Sequence, residues 1–347
     1  MNLPRWNLIE QMRKGHIPGL SMAFIEDGVL KRQDCYGETE AGSSRAVQRD
    51  TMFNACSISK LAAGILAMIL VEERVLRLDE DISPLLVSWS IPEHPAYSRS
   101  VTLRRLLSHQ AGFADPKGGF GEYSCEHGVP ELPQLLAGTT YYAPEPAALT
   151  VEPGSEFIYS DTGFSILQLL IEDVAGEKFS ELLRQRVFEP LHMNHSCIIM
   201  NESQIRPEFA CGHDQHGIRL REPYTIYPYP AAAGLWSTPT DLAVLMAELL
   251  ASLRGEGKLG ISADTASEMI RYQGDFRWAG LGIFLDSSNQ GVEISSLGWG
   301  SGFQSLAVAY PGTGNGAVLM MNIDPGIHQS ESLLGQISAL WQQGQFA

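Results

Sequence analysis

The sequence predicts an α/β (α+β) fold: an antiparallel sheet flanked by helices, with a mostly helical region inserted between the two chain ends. Three observations carry this. Strand signals occur near the start and again after about residue 278, helical periodicity dominates the middle, and no repeat, Ser/Gly linker or low-complexity run divides them. The simplest arrangement joins residues 1–55 and 278–347 in one α/β domain and assigns 56–277 to a mostly helical domain.

The elements follow in order. Residues 5–14 read as a short helix ending at Gly15. Leu20 to Ile25 reads as a strand, Glu26-Asp27-Gly28 as a hairpin turn, and Val29 to Tyr36 as the returning strand. Ser57 to Leu76 is a helix by periodicity, with Leu61, Ala62, Ile65, Leu66, Ile69 and Leu70 at helical spacings. Further helical patterns cover 102–108, 162–175, 178–187 and 239–252. The long irregular stretches 112–155 and 202–235 are of the kind that carries function. Segments 280–286, 291–296, 303–310 and 316–322 read as an antiparallel meander, and Ser330 to Gln343 as a closing amphipathic helix.

Composition narrows the functional classes. The 347 residues are 44% hydrophobic and 18% charged, an ordinary globular balance. A net charge of −16 opposes binding to nucleic acid or to an anionic membrane surface. The longest apolar stretch, Leu61 to Val71, is too short to span a bilayer, and no apolar leader follows Met1. Cys35, Cys56, Cys125, Cys197 and Cys211 are odd in number and scattered, as expected of reduced thiols in a cytoplasmic protein.

Ser57-Ile58-Ser59-Lys60 is the first chemical candidate. Residues three apart on a helix share a face, so Lys60 reaches the Ser57 hydroxyl, which lies near the positive helix end. A serine hydroxyl needs such a base to become a nucleophile. By itself the pattern also describes an N-cap serine followed by a surface lysine. Pro153 to Phe164 sets Tyr159 and Asp161 two apart before a helix, where a tyrosine near a lysine relays a proton. Its bland alternative is a core Tyr beside an N-cap Asp. Ser296 to Phe303 is rich in glycine, which suits either close backbone approach to a ligand or a β-turn.

Ser57-x-x-Lys60, Tyr159-Ser160-Asp161 and Ser296-Leu297-Gly298, in this order, resemble the three motifs of the serine β-lactamase/penicillin-binding superfamily, in particular its class C and family VIII esterase branch. Leu106 to Phe113, Pro153 to Gly163, Ala233 to Leu242 and Trp299 to Phe303 resemble the connecting segments, so the likeness runs from about residue 17 to 325. It implies a β-lactamase/transpeptidase-like fold with the active site in the cleft between the domains. It also implies roles: Ser57 as nucleophile forming an acyl-enzyme, Lys60 and Tyr159 as joint base and then acid, and the N–H groups of Ser57 and Trp299 as the oxyanion hole. Asp161, Ser296 and Gly298 are the matching substrate-binding positions. No cofactor or metal is implied.

Two departures bear on substrate. Where the family has Lys, His or Trp, this chain has Ser296, a neutral hydroxyl, which argues against carboxylate-bearing substrates. Where it commonly has Asn, this chain has Asp161. Ionised beside Lys60, Asp161 raises the lysine pKa; it is then protonated, or leaves Tyr159 as proton carrier, or binds a cationic part of the substrate. A second registration takes Ser160-Asp161-Thr162 as the class A S-D-N motif, but Tyr159 and Gly163 favour the first.

Other candidates read as structural. Cys211 to His216 has metal-like residue types without a third ligand; His109, His192, His195 and Cys56 fit packing or helix-end positions. Tyr224, Tyr227, Tyr229 and Trp236 suit an acyl pocket or a packed loop equally. The expected function is hydrolysis of a small ester or amide through an acyl-enzyme. The alternatives are acyl transfer to an amine or alcohol acceptor, and a catalytically silent binding protein on the same fold.

Overall fold

The computed structural model describes residues 7–124, 126–288 and 290–346. After helix α1 (Leu8–Lys14) come strands β1 (Gly19–Glu26) and β2 (Val29–Gly37). Three short strands, β3 (Phe53–Asn54), β4 (Cys197–Ile198) and β5 (Leu235–Ser237), form a small sheet in the order β3-β5-β4. Strands β6 (Phe284–Ser288), β7 (Gly291–Gly300), β8 (Phe303–Tyr310) and β9 (Asn315–Met321) complete the main sheet. Its order is β2-β1-β9-β8-β7-β6, with every neighbouring pair antiparallel, so the two chain ends meet where β1 pairs with β9.

Period-two side-chain alternation divides the sheet into two buried faces. Leu20, Met22, Phe24, Leu306, Val308, Leu319 and Met321 pack with the terminal helices, of which the last spans Leu333–Gln342. Ala23, Ile25, Ala307, Ala309, Val318 and Met320 turn toward the rest of the molecule. Smaller residues on that face let the helix Pro239–Leu253 lie against β1, β2 and β9. The division at 56 and 277 expected from sequence puts this helix with the helical half, whereas its packing ties it to the sheet.

Helix α2 (Ser59–Glu72) is the centre of the molecule. Every residue from Ser59 to Leu70 is buried, so the helix is surrounded on all sides rather than amphipathic. It begins two residues later than the periodicity suggests, because Cys56–Ile58 forms a separate 3-10 turn. Sequence patterns also missed the small sheet, whose strands of two or three residues are too short for a period to register. The strand read at 280–286 starts only at Phe284. Gly282 at φ +73° turns the chain first, and its N–H donates to Leu107 O at 2.8 Å. Strand β7 runs on through Gly298-Trp299-Gly300, so the glycines belong to a strand and the turn is confined to Ser301-Gly302.

Candidate active site

Ser57 sits on a strained turn. The Asn54 side-chain carbonyl accepts the Cys56 N–H at 2.7 Å, while its amide donates to Thr225 O at 2.9 Å. This clamp holds Cys56 at φ +49°, a left-handed conformation that costs a side-chain-bearing residue roughly 1–2 kcal/mol. Cys56 Sγ points to Asn54 O, 3.7 Å away, and burial pushes its thiol well up, so it is an inert packing group. The sequence reading of Cys56 as a buried neighbour agrees with this. Ser59 locks the turn from behind: its Oγ donates to Cys56 O at 2.6 Å and accepts the Leu235 N–H at 2.9 Å.

Lys60 is only 3% exposed because α2 is buried on all sides. Its Nζ donates to Asp161 Oδ1 at 2.6 Å, Ala232 O at 2.9 Å and Ser57 Oγ at 3.2 Å. An ammonium has three donors, and all three are used. Burial pulls the Lys60 pKa down, but the Asp161 carboxylate and the Tyr159 side chain outweigh it and hold the group above the ordinary lysine value. Lys60 therefore rests charged. The carboxylate that sequence reasoning offered to a cationic substrate is instead engaged by Lys60.

Tyr159 lies with its ring centroid 4.8 Å from Lys60 Nζ and stacks on His109 at 4.4 Å. His109 is a positioning residue. Its Nδ1 accepts the Ser160 N–H at 3.1 Å and its carbonyl accepts the Ile158 N–H at 2.8 Å, which fixes both sides of Tyr159. Burial, with Lys60 nearby, pushes His109 well below the usual histidine range and keeps it neutral.

Asp115, which the sequence did not single out, caps the next helix, Asp161–Ala175. Its carboxylate accepts the N–H groups of Asp161 at 3.0 Å and Thr162 at 2.8 Å, and the Ser160 hydroxyl at 3.2 Å. Burial and the Asp161 charge push Asp115 above the usual carboxylate range. Asp115 is 46 residues from Asp161 in sequence, so no local pattern connects the two.

The opposite wall is β7, which lies beside the Cys56–Ile58 turn. A Cβ at Gly298 would stand 2.2 Å from Ala55 O and 2.1 Å from Ser305 Oγ; one at Gly300 would stand 2.3 Å from the Tyr227 hydroxyl and 2.9 Å from Cys56 Sγ. Gly298 thus serves close approach and offers no side chain to a ligand. Gly298→Ala is expected to lose about 3 kcal/mol of stability and most of its activity; an unchanged urea midpoint would contradict this packing. Trp299 is half-exposed and its Nε1 donates to Asp324 Oδ1 at 2.7 Å. Ser296 is buried in the cleft wall.

Ser57, Lys60, Tyr159, Ser296 and Phe284 line one cleft with about 10 Å³ of free space, room for roughly one water. Its one cation among the described lining residues, Lys60, is neutralised by Asp161. Of the other candidates, Tyr227, Tyr229 and Trp236 are buried, and Trp236 packs between Phe209 and Phe303. These three form a packed loop, whereas Tyr224 is half-buried and lines a separate cavity with Pro223 and Ile226. Tyr227 does matter locally, since its hydroxyl accepts the Ser301 N–H at 3.0 Å. His213 is buried, donating from Nδ1 to Asn322 O and accepting the Ala41 N–H at Nε2, so both ring nitrogens are occupied. His192 and His195 are exposed. Cys35, Cys56, Cys197 and Cys211 are free thiols; Cys125 lies outside the described residues.

A serine and a lysine three apart at the head of a buried helix, with a tyrosine ring 4.8 Å from the lysine amine, on this topology, place the molecule in the serine β-lactamase superfamily. The chain belongs to the beta-lactamase family, whose model matches residues 7–338. It is similar to penicillin-binding protein 4 of Amycolatopsis lactamdurans, with 29% identity over 198 residues, 57% of this chain and 49% of that protein. It is also similar to the teichoic acid D-alanine hydrolase of Staphylococcus aureus (strain MRSA252), with 23% identity over 248 residues, 71% of this chain and 58% of that protein. The chain thus spans about half the length of the curated relatives it matches. Among solved structures, the octameric penicillin-binding protein homologue from Pyrococcus abyssi superposes with a TM-score of 0.77 at 22% identity, covering 97% of this chain and 76% of that one. Among the described residues no helix is long and apolar enough to cross a membrane.

Proposed function

We propose that this chain is a serine acyl-enzyme hydrolase acting on a small ester or amide that lacks a carboxylate at the reacting end. The observation that carries the reading is the buried chain Ser57–Lys60–Asp161 beside Tyr159. Ser57 Oγ attacks the carbonyl carbon. Lys60, charged and with its donors filled, supplies a positive charge beside Tyr159 rather than acting as the base itself. Tyr159 takes the Ser57 proton and delivers it to the leaving oxygen or nitrogen as that bond breaks. The backbone N–H groups of Ser57 and Trp299 receive the oxyanion, a role supported by the closeness of β7 to the nucleophile turn. Water then releases the acyl group by the same relay; the name of the S. aureus relative, a teichoic acid D-alanine hydrolase, suggests a D-alanine derivative as one substrate class.

The neutral Ser296 and the neutralised Lys60 leave the cleft without a partner for a substrate carboxylate. This supports an ester or amide over a cell-wall peptide ending in one. A cytoplasmic location belongs to the same reading, supported by the four free thiols. The test is intact mass after incubation with a fluorophosphonate. An adduct is expected on the wild type and none on Ser57→Ala; no adduct on either protein would overturn the hydrolytic reading and favour a silent binding protein. Product partition between water and an added amine then separates hydrolysis from acyl transfer.

A further inference from the structure

Tyr159 opens onto a run of aromatic rings that the hydrolytic step does not use. His109, stacked under Tyr159, meets Phe157 at 5.6 Å; Phe157 meets Trp278 at 5.9 Å, and Trp278 meets Phe276 at 5.4 Å. On the other flank Tyr159 faces Phe284 at 6.3 Å with the rings 18° from parallel. His109 is buried beneath Tyr159 and Phe157, Phe276 and Phe284 are half-buried, while Tyr159 is 39% and Trp278 49% exposed.

The surface is built, not loose. Phe276 and Trp278 ride on a short hairpin closed by Gln273 N to Ala279 O at 3.1 Å and Phe276 N to Gln273 O at 3.2 Å. The hairpin is tied to the catalytic side by Gln110, the neighbour of His109, whose Nε2 donates to Gln273 O at 3.2 Å. It is tied to β6 by Leu285 N donating to Trp278 O at 2.9 Å. Exposed aromatic rings held in fixed register beside a reactive group offer flat faces for stacking.

We propose that Phe157, Phe276 and Trp278 form a shelf for the leaving group, and that the preferred substrate releases a planar aromatic alcohol or amine. The inference rests on the acyl-enzyme reading above. As the Ser57 Oγ–carbon bond forms and the bond from carbon to the leaving oxygen or nitrogen breaks, that atom takes the proton from Tyr159 and departs neutral. It must therefore lie within hydrogen-bond reach of Tyr159. The oxyanion is held on the β7 side of Ser57. The leaving group consequently extends from Tyr159 along the ring series, while the acyl group remains on Ser57.

The experiment compares benzyl acetate with 2-methoxyethyl acetate, whose alcohols are of similar acidity and which give the same acetyl-enzyme. Wild type is expected to favour the benzyl ester in kcat/KM by about tenfold, the scale of one good aromatic contact. In Trp278→Ala and in Trp278→Ala/Phe276→Ala the ratio should fall to within about twofold, and Trp278→Phe should recover most of it. An unchanged ratio in the folded variants overturns the shelf, as does a preference that follows the acyl group instead. Equilibrium dialysis of 2-naphthol against Ser57→Ala protein needs no turnover. Binding that is lost when Trp278→Ala is added supports the shelf, and equal binding overturns it. Absence of a fluorophosphonate adduct would count against the hydrolytic reading, and the naphthol result would still decide the shelf.

Discussion

Lys60→Met is expected to lower kcat by about 10⁴-fold while leaving the protein folded. Methionine matches the length of the lysine stem but carries no charge, so Tyr159 loses the cation whose Nζ lies 4.8 Å from its ring. Ser57 also loses the donor that orients its hydroxyl at 3.2 Å. The stability loss should be moderate, about 1–2 kcal/mol, because the buried Ala232 carbonyl loses its donor while the Asp161 carboxylate is not sealed in. The Asp161 side chain is 22% exposed against 4% for Lys60, so its carboxylate turns to water. Rates of hydrolysis of an activated ester, read beside urea midpoints, check both halves. A kcat within tenfold of wild type would remove Lys60 from the mechanism.

Asp161→Asn should behave in the opposite way. It removes the counter-charge from the sealed partner, and leaving a buried charge alone costs about 3 kcal/mol. The two members of one ion pair thus give unequal losses, set by which is exposed. The pH dependence follows from the raised Lys60 pKa. A lysine raised in the folded state stabilises fully below its unfolded value, near 10.5, and that stabilisation fades as pH climbs through the folded value. In Asp161→Asn burial is no longer offset, so Lys60 loses its proton at a lower pH than in wild type, and the gap in unfolding free energy is expected to be largest near neutral pH and to narrow as pH rises through the variant's Lys60 pKa. A gap that does not change with pH would mean that Lys60 is not held charged by Asp161.

Much of the sheet and the longer helices were legible because they obey simple periods. The β1–β2 hairpin announced itself through Glu26-Asp27-Gly28, and Ser57 with Lys60 through helical spacing. What escaped depends on contacts between distant parts of the chain. Asp115 caps a helix 46 residues away, and Asn54 clamps Cys56 through Thr225, 171 residues on. Asp161 was legible as a departure that would raise the Lys60 pKa if ionised, and the 2.6 Å pair agrees with that reading. The rings of Phe157, Phe276 and Trp278 come from two separated loops and carry no shared pattern. Tyr227, Tyr229 and Trp236 showed the converse: a conspicuous local cluster that folding turns inward.

The glycines of β7 have one more consequence. Where Gly298 meets the Ala55 backbone and Gly300 meets Cys56 Sγ, strand β7 brings no side chain of its own between itself and the nucleophile turn, and Ser305 Oγ rivets the seam to Ala55 O at 3.0 Å. That half of the cleft is a fixed jaw.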